Sequence, residues 1–370
     1  FEMLEGMANH QARTVQHTAG GLLRYAPVVR KEDFHSAISY LVRRLDENTS
    51  EENFLHDLFG MKPGCPLWQK QKKMFLDACA IKDTVQSAPN RTQDRNTEEH
   101  AVDYSSEFQN AADTDWSLQH NQSWAIKHVR EMDGKEISTI PIVINGETLV
   151  TSNVETSIDP SRDIDTYQFS LANAEQVNTA LECAVNCQPD WEKLGVEARA
   201  KVLKDVAVKL AEGRAEAISV MVMDAGKAIP EGDAELSEAI DFANYYADSL
   251  SWDGLFDGSE FKALGVVVIT PPWNFPFAIP CGGILAALMA GNTVIMKPAV
   301  ETVLTAWVMV NMLWDAGIPR DVLQFVTCPN NEIGKGLVTD PRVGSVVLTG
   351  AFETGRMFQN WHPSMRLVAE

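Results

Sequence analysis

Three side chains have types that a parallel sheet could use for chemistry: Trp273 and Asn274 within TPPWNFP, and Lys297 within VIMKPA. An indole can cover a flat ring, a carboxamide N–H can donate to a developing oxyanion, and an ammonium can hold ribose or phosphate oxygens. The elements that must position them are a strand, a polar turn, an apolar helix and a second strand. Residues 265–269 form the β-branched run that a strand buried on both faces needs, and Pro271-Pro272 end it. Residues 277–289 are apolar nearly all round, which suits a covered helix, and Ala290-Gly291-Asn292 closes it before a strand over 293–296. This is a βαβ unit, and ligands of open α/β sheets bind beyond the carboxyl ends of the strands, where Trp273, Asn274 and Lys297 fall. A Pro-rich turn with a capping Asn and a solvated Lys is the plainer reading of the same letters.

The alternation continues, with helices over 306–316, 332–338 and 353–361 and strands over 322–326 and 344–348. It predicts a doubly wound, mostly parallel α/β sheet. LTGAFETG at 348–355 sets Gly350 and Ala351 at the mouth of a helix, whose free N–H groups can receive phosphate, although an ordinary strand-to-helix turn fits equally. Upstream, 141–160 reads as a hairpin turned at Asn145-Gly146, and 172–187 and 196–223 read as amphipathic helices, the second stopped by Gly226. A helix over 231–250 carries Glu235, Glu238 and Asp241, for which a solvated acidic face is a sufficient account.

Residues 1–57 read as two short strand-then-helix repeats, with strands at 1–7 and 21–29 and helices at 10–18 and 32–48. In the last helix Phe34, Ile38, Leu41, Val42 and Leu45 approximate one apolar face, Glu32-Asp33 make an acidic first turn, and Arg43 and Arg44 sit together. From 58 to 140 the periodicity weakens to a helix over 68–79 and a polar stretch over 83–107 that reads as linker or surface wrap.

At 370 residues the chain exceeds what one core usually organises, so two or three domains are expected. Its formal charge of −20, without a local basic patch, argues against a nucleic-acid surface. The six cysteines show no CxxC pair, which fits a reducing, cytoplasmic setting; Cys183 and Cys187, four apart on a helix, read as small core residues, with a redox or metal pair as the alternative. No metal site is expected, and no apolar run reaches the roughly 18 residues that span a membrane. The chain begins at Phe1 without Met and stops at Glu370 where a strand ends, so it reads as an internal piece of something longer.

TPPWNFP followed by VIMKPA resembles the aldehyde dehydrogenase superfamily. The resemblance implies NAD as cofactor, held by Thr270, Pro272, Trp273, Lys297, Gly334, Gly350 and Ala351, and Asn274 as the oxyanion donor. It implies a Cys nucleophile beyond this chain and a water-activating Glu that maps onto Glu370; Glu238 matches a residue near the active-site entrance of the dehydrogenases that act on glutamate semialdehyde. Three departures from the family pattern stand out: Ala351 where a Ser is usual, Val300 where a Glu contacts the adenosine ribose, and Cys328 and Asn330 in place of strand-end glycines. GMANHQ, LLRYAPVV and YLVRRLDEN resemble the closing strands and helices of the flavin-dependent proline dehydrogenase (β/α)8 barrel. That implies Arg43 and Arg44 as a fork for the proline carboxylate, Tyr25 packed against the substrate ring and Glu47 near FAD, with too little of the barrel present to bind FAD alone. DTDWSLQHNQSWAIKHV resembles the segment joining the two enzymes in bifunctional proline utilisation proteins.

Together these imply a barrel end over 1–57, a linker over 58–140 and a Rossmann-like NAD-binding part over 141–370. The complete protein is then expected to oxidise proline through pyrroline-5-carboxylate and glutamate γ-semialdehyde to glutamate, this piece by itself catalysing neither step. A homo-oligomer, and a peripheral membrane or quinone contact of the flavin side, are further expectations. An aldehyde dehydrogenase of other substrate and a non-catalytic dinucleotide-binding protein remain as alternatives.

Overall fold

The computed structural model describes residues 1–5, 9–26, 28–31, 34–48, 50–51, 53–58, 60–85, 88–104, 108–250, 258–259 and 261–370; the side chains of Leu45, Glu47, Asn48 and Leu55 also lie outside the description. The chain divides into two compact units, Phe1–Asn90 and Arg91–Glu370.

In the first unit, β1 (Glu2–Leu4) is followed by α1 (Asn9–Ala19), β2 (Leu23–Tyr25), α2 (Phe34–Asn48), α3 (Phe54–Leu58) and α4 (Pro66–Ile81). The strands pair in parallel with Met3 opposite Arg24, so the strand-helix repeats form as expected, with strands shorter than the apolar runs suggest. The apolar face of α2 is not covered: Phe34, Ile38, Leu41 and Val42 are 40–60% exposed. A sheet of two three-residue strands is too narrow to bury a helix stripe of that width. The acidic turn at Glu32 and Asp33 lies outside the described residues, as does the side chain of Glu47.

The second unit runs through α5 (Gln119–Asp133), β3 (Ile142–Ile144), β4 (Glu147–Leu149), β5 (Val154–Asp159), β6 (Ile164–Ser170), α6 (Ala174–Lys193), α7 (Val196–Glu212), α8 (Arg214–Ala225) and α9 (Ile229–Ser249). It continues with β7 (Val266–Thr270), α10 (Ala278–Met289), β8 (Thr293–Met296), α11 (Val303–Asp315), β9 (Leu323–Phe325), α12 (Glu332–Thr339), β10 (Val343–Leu348), α13 (Phe352–Trp361) and β11 (Leu367–Ala369). Among the described residues, seven strands form one sheet in the order β11-β10-β7-β8-β9-β3-β4. The first five are mutually parallel, and the β3–β4 hairpin adds an antiparallel edge.

Helices cover both faces. Val267, Ile269, Val294, Met296, Leu323 and Phe325 share a core with α7, α9, α10 and α11. The alternate residues Val266, Val268, Ile295, Val346 and Leu348 join α6, α12 and α13 on the other side. This period-two division of nearly uninterrupted apolar strands is what a doubly wound parallel sheet requires, and all five residues of β7 are buried. The hairpin turns at Asn145 (φ 54°) and Gly146 (φ 76°), the two left-handed positions of a type I′ turn.

Two expectations change. The helix expected over 196–223 is two, broken at Gly213, where a Cβ would stand 2.4 Å from Met312 Cε, so that the tip of this α11 side chain would have to move. The weakly periodic linker contains a regular helix, α5, whose Trp124 and Ala125 are buried against Ile218 of α8. Ahead of α5, the described residues of the second unit are tied down by carboxylates: Tyr104 donates to Asp205, Asn110 and Ala111 to Asp241, and Thr114 to Asp233.

Candidate active site

Because β7, β8, β9, β10 and β11 run in parallel, their carboxyl ends share one edge of the sheet. Thr270 ends β7; its Oγ1 donates to Val347 O at 3.0 Å and its carbonyl accepts from Thr349 N at 3.3 Å, locking β7 to β10 at that edge. Pro272, Trp273 and Asn274 follow in the turn before α10. Trp273 is 56% exposed, and Asn274 is exposed with no side-chain hydrogen bond among the described residues, so its amide is open to a ligand. Its main chain is not free: Lys227 Nζ donates to Asn274 O at 3.0 Å, pairs with Glu235 Oε2 at 2.5 Å, and stands 4.0 Å from the centre of the Phe275 ring. Glu235, with a fully buried side chain, accepts at Oε1 from Phe277 N at 2.7 Å and Ala278 N at 3.0 Å, capping α10. Sequence reasoning placed Glu235 on an acidic face and Lys227 in a helix stop; nothing local signals that the two meet.

Lys297 leaves β8 with its N–H on Ile269 O and its Nζ donating to Asn330 Oδ1 at 2.7 Å. Burial holds its ammonium below the usual lysine range, against the pull of Cys328, Glu301 and Glu155. Gly334, on the first turn of α12, closes the same loop: a Cβ there would lie 2.7 Å from Pro329 O and 3.8 Å from Lys297 Cε. A partly desolvated ammonium beside a backbone cradle that admits only glycine suits ribose and phosphate oxygens, so the residues present fit a dinucleotide at this edge.

Gly350 and Ala351 lie at the start of α13, but the Gly350 N–H donates to Glu370 O at 3.1 Å. The backbone donors left for an anion are therefore those at the helix mouth from Ala351 onward. Glu370 is exposed and lines, with Thr270, Pro271 and Thr349, one end of a cleft of about 440 Å3 between α10 and the sheet. Glu238, one turn along α9 from Glu235, is exposed at its tip. Partial burial raises its carboxyl pKa, Glu235 and Asp241 raise it further, and Lys227 opposes them.

No cysteine of this unit is an activated nucleophile. Cys281 and Cys328 are buried, and burial pushes both thiols up. Cys183 and Cys187 stand with Sγ atoms 3.8 Å apart; burial raises both, Cys187 to about 12. Among the described residues no cluster of three or more His, Cys, Asp or Glu could hold a metal, and no helix is long and apolar enough to cross a membrane.

In the first unit, Tyr25 is exposed and bonded to Tyr40, which raises its phenol pKa, and the Arg44 guanidinium lies 5.2 Å from the Tyr40 ring centre. Arg43 adjoins it on α2. With the α2 stripe exposed, the described residues of this unit do not enclose a flavin.

Comparison with known proteins agrees with this division. The model of the proline dehydrogenase family matches residues 1–57, and that of the aldehyde dehydrogenase family matches residues 150–366. A 1-pyrroline-5-carboxylate dehydrogenase of Staphylococcus haemolyticus is 36% identical over 67% of this chain and 50% of its own, so the chain spans about half the length of such curated relatives. Proline utilization A from Bdellovibrio bacteriovorus superposes on 100% of this chain and 38% of its own at TM-score 0.77 with 27% identity. A 1-pyrroline-5-carboxylate dehydrogenase from Thermus with bound NAD matches 72% of this chain and 55% of its own, at TM-score 0.67 with 26% identity. The parallel sheet, the open Asn274 at its carboxyl edge and a family match over more than half the chain lead to one conclusion: the chain belongs to the aldehyde dehydrogenase family, with a segment of proline dehydrogenase kind at its amino end.

Proposed function

We propose that residues 141–370 form the dinucleotide-binding part of a dehydrogenase that oxidises L-glutamate γ-semialdehyde to L-glutamate with NAD. In the full-length protein, residues 1–57 would belong to an FAD-dependent proline dehydrogenase that makes the cyclic precursor, pyrroline-5-carboxylate. The observation that carries the reading is Asn274: its carboxamide is open while its main chain is fixed at the carboxyl edge shared with Lys297 and Glu370.

A thiolate from a cysteine outside these residues attacks the aldehyde carbon, and the Asn274 amide donates to the oxyanion that forms. When bound, NAD would supply the hydride acceptor for this oxidation. Lys297 and the Gly334 cradle hold the ribose and phosphate side at the ends of β8 and β9. Glu370 then takes a proton from the water that hydrolyses the thioester, releasing the carboxylate and the thiol. Trp273 shields the reacting face, and Glu238 stands at the substrate side.

The test is NADH formation from glutamate γ-semialdehyde by the full-length protein. Asn274→Ala should lower kcat by about 10²–10³ while the protein still binds NAD, the loss expected on removing one oxyanion donor. Proline-dependent activity should fail on replacing Arg43 and Arg44 through a raised KM for proline. Absence of NADH formation with this aldehyde, alongside turnover of an unrelated one, refutes the substrate assignment.

A further inference from the structure

We propose that Lys227 and Glu235 are positioning residues for Asn274, acting as one clamp on the turn between β7 and α10; this rests on the reading of Asn274 as oxyanion donor. The first N–H groups of a helix lack intrahelical acceptors, and Phe277 supplies no side-chain cap to α10. The Glu235 carboxylate supplies it from another helix, taking Phe277 N and Ala278 N on one oxygen. A buried carboxylate persists there because its second oxygen is paired with Lys227 and because the helix amino end favours negative charge.

Lys227 carries the clamp from the helix to the turn. Gly226, in the left-handed conformation (φ 66°), ends α8 and redirects the chain. The ammonium then has its three faces occupied: Glu235 Oε2, the Asn274 carbonyl and the Phe275 ring. The peptide after Asn274 and the helix start three residues on are thus held by one ion pair. The Asn274 amide stays open. With side chains 10% and 0% exposed, Lys227 and Glu235 act on a substrate through Asn274 and not by contact.

The experiment uses the full-length protein and compares Lys227→Met, Lys227→Arg, Asn274→Ala and the Lys227→Met/Asn274→Ala double variant. Loosening the donor should cost Lys227→Met about 10² in kcat, the scale of a misplacement near 1 Å. NAD affinity should hold within about threefold, and Lys227→Arg should recover most of the rate because it keeps the cation. The double variant should be no slower than Asn274→Ala alone. Losses that multiply in the double variant, or a rate and NAD affinity that fall together without rescue by Arg, overturn the clamp as a positioning device. Amide exchange at Phe277 and Ala278 decides it independently of turnover: these N–H groups should be protected in the wild type and exposed in Lys227→Met, and unchanged exchange overturns the proposal. A wild-type protein that does not oxidise the aldehyde refutes the role of Asn274 while leaving that exchange test to judge the clamp.

Discussion

Replacing Gly334 by Ala sets two effects of opposite sign against each other. Gly334 lies in the first turn of α12, where Ala is favoured over Gly by up to about 1 kcal/mol through backbone entropy and helix propensity. The new Cβ, however, would stand 2.7 Å from Pro329 O, a backbone atom that also accepts the Gly334 N–H at 3.2 Å. That carbonyl must retreat by several tenths of an ångström, and overpacking of this kind costs about 1–3 kcal/mol. The two largely offset, so global stability should fall by no more than about 2 kcal/mol. Ligand binding has no such offset. Asn330, next to Pro329, holds the Lys297 ammonium at 2.7 Å, so the shift displaces the cation that we propose for the dinucleotide. Losing one hydrogen bond from a charged donor costs about 1.5–3 kcal/mol, a rise in Kd of roughly 10- to 100-fold. Trp273, exposed beside the site, offers a fluorescence signal for NAD titration, and urea unfolding gives the stability. A variant that binds NAD as the wild type does, but unfolds more readily, would refute the assignment of this loop to the cofactor.

Asn292→Ala should destabilise by about 1–3 kcal/mol in urea unfolding, because the buried Asn292 side chain accepts from the part-buried Leu264 N and Gly265 N, while Ala287 O, which also accepts from Asn292 N, keeps one donor. An unchanged midpoint would mean that water replaces the side chain. Asp224 is fully buried, and burial raises its pKa from 3.8 to about 6 despite donors from Tyr167 and Thr305. A raised folded-state pKa in an acid means that the neutral form contributes stability fully present below about 3.8 and lost as pH rises through about 6, some 3 kcal/mol over the interval. Asp224→Asn should therefore gain on the wild type as pH rises across that window; parallel stability-pH curves would count against it. Arg199→Met should cost about 2–4 kcal/mol, since the buried guanidinium donates to Met289 O and Glu192 O at two helix ends; an unaltered unfolding curve would show those carbonyls to be hydrated.

How far the sequence reached depends on whether a signal is local. Strand β7 declares itself because a strand covered on both faces must be apolar at every position, and residues 266–269 are. The turn at Asn145-Gly146 declares itself because few residues tolerate two consecutive left-handed conformations. Trp273, Asn274 and Lys297 are legible because a parallel sheet delivers the residues after its strands to one edge, so order along the chain fixes their neighbourhood. Other features depend on which surfaces meet. The break at Gly213 has no punctuating proline around it, and α5 is stabilised by Trp124 against Ile218 of α8, a contact between distant segments. The Gly350 N–H is spent on Glu370, which no strand-to-helix turn reveals. The stripe on α2 shows the converse: its letters specify an apolar face, but burial needs a second surface, and the two-stranded sheet beside it supplies none wide enough. Composition and spacing thus settled the sheet, its winding and the edge that receives Trp273, Asn274 and Lys297. Tertiary packing alone decided that Lys227 and Glu235, eight residues apart, converge on the turn that carries Asn274, because a buried charge pair forms only where both desolvated partners and their backbone acceptors and donors are brought together.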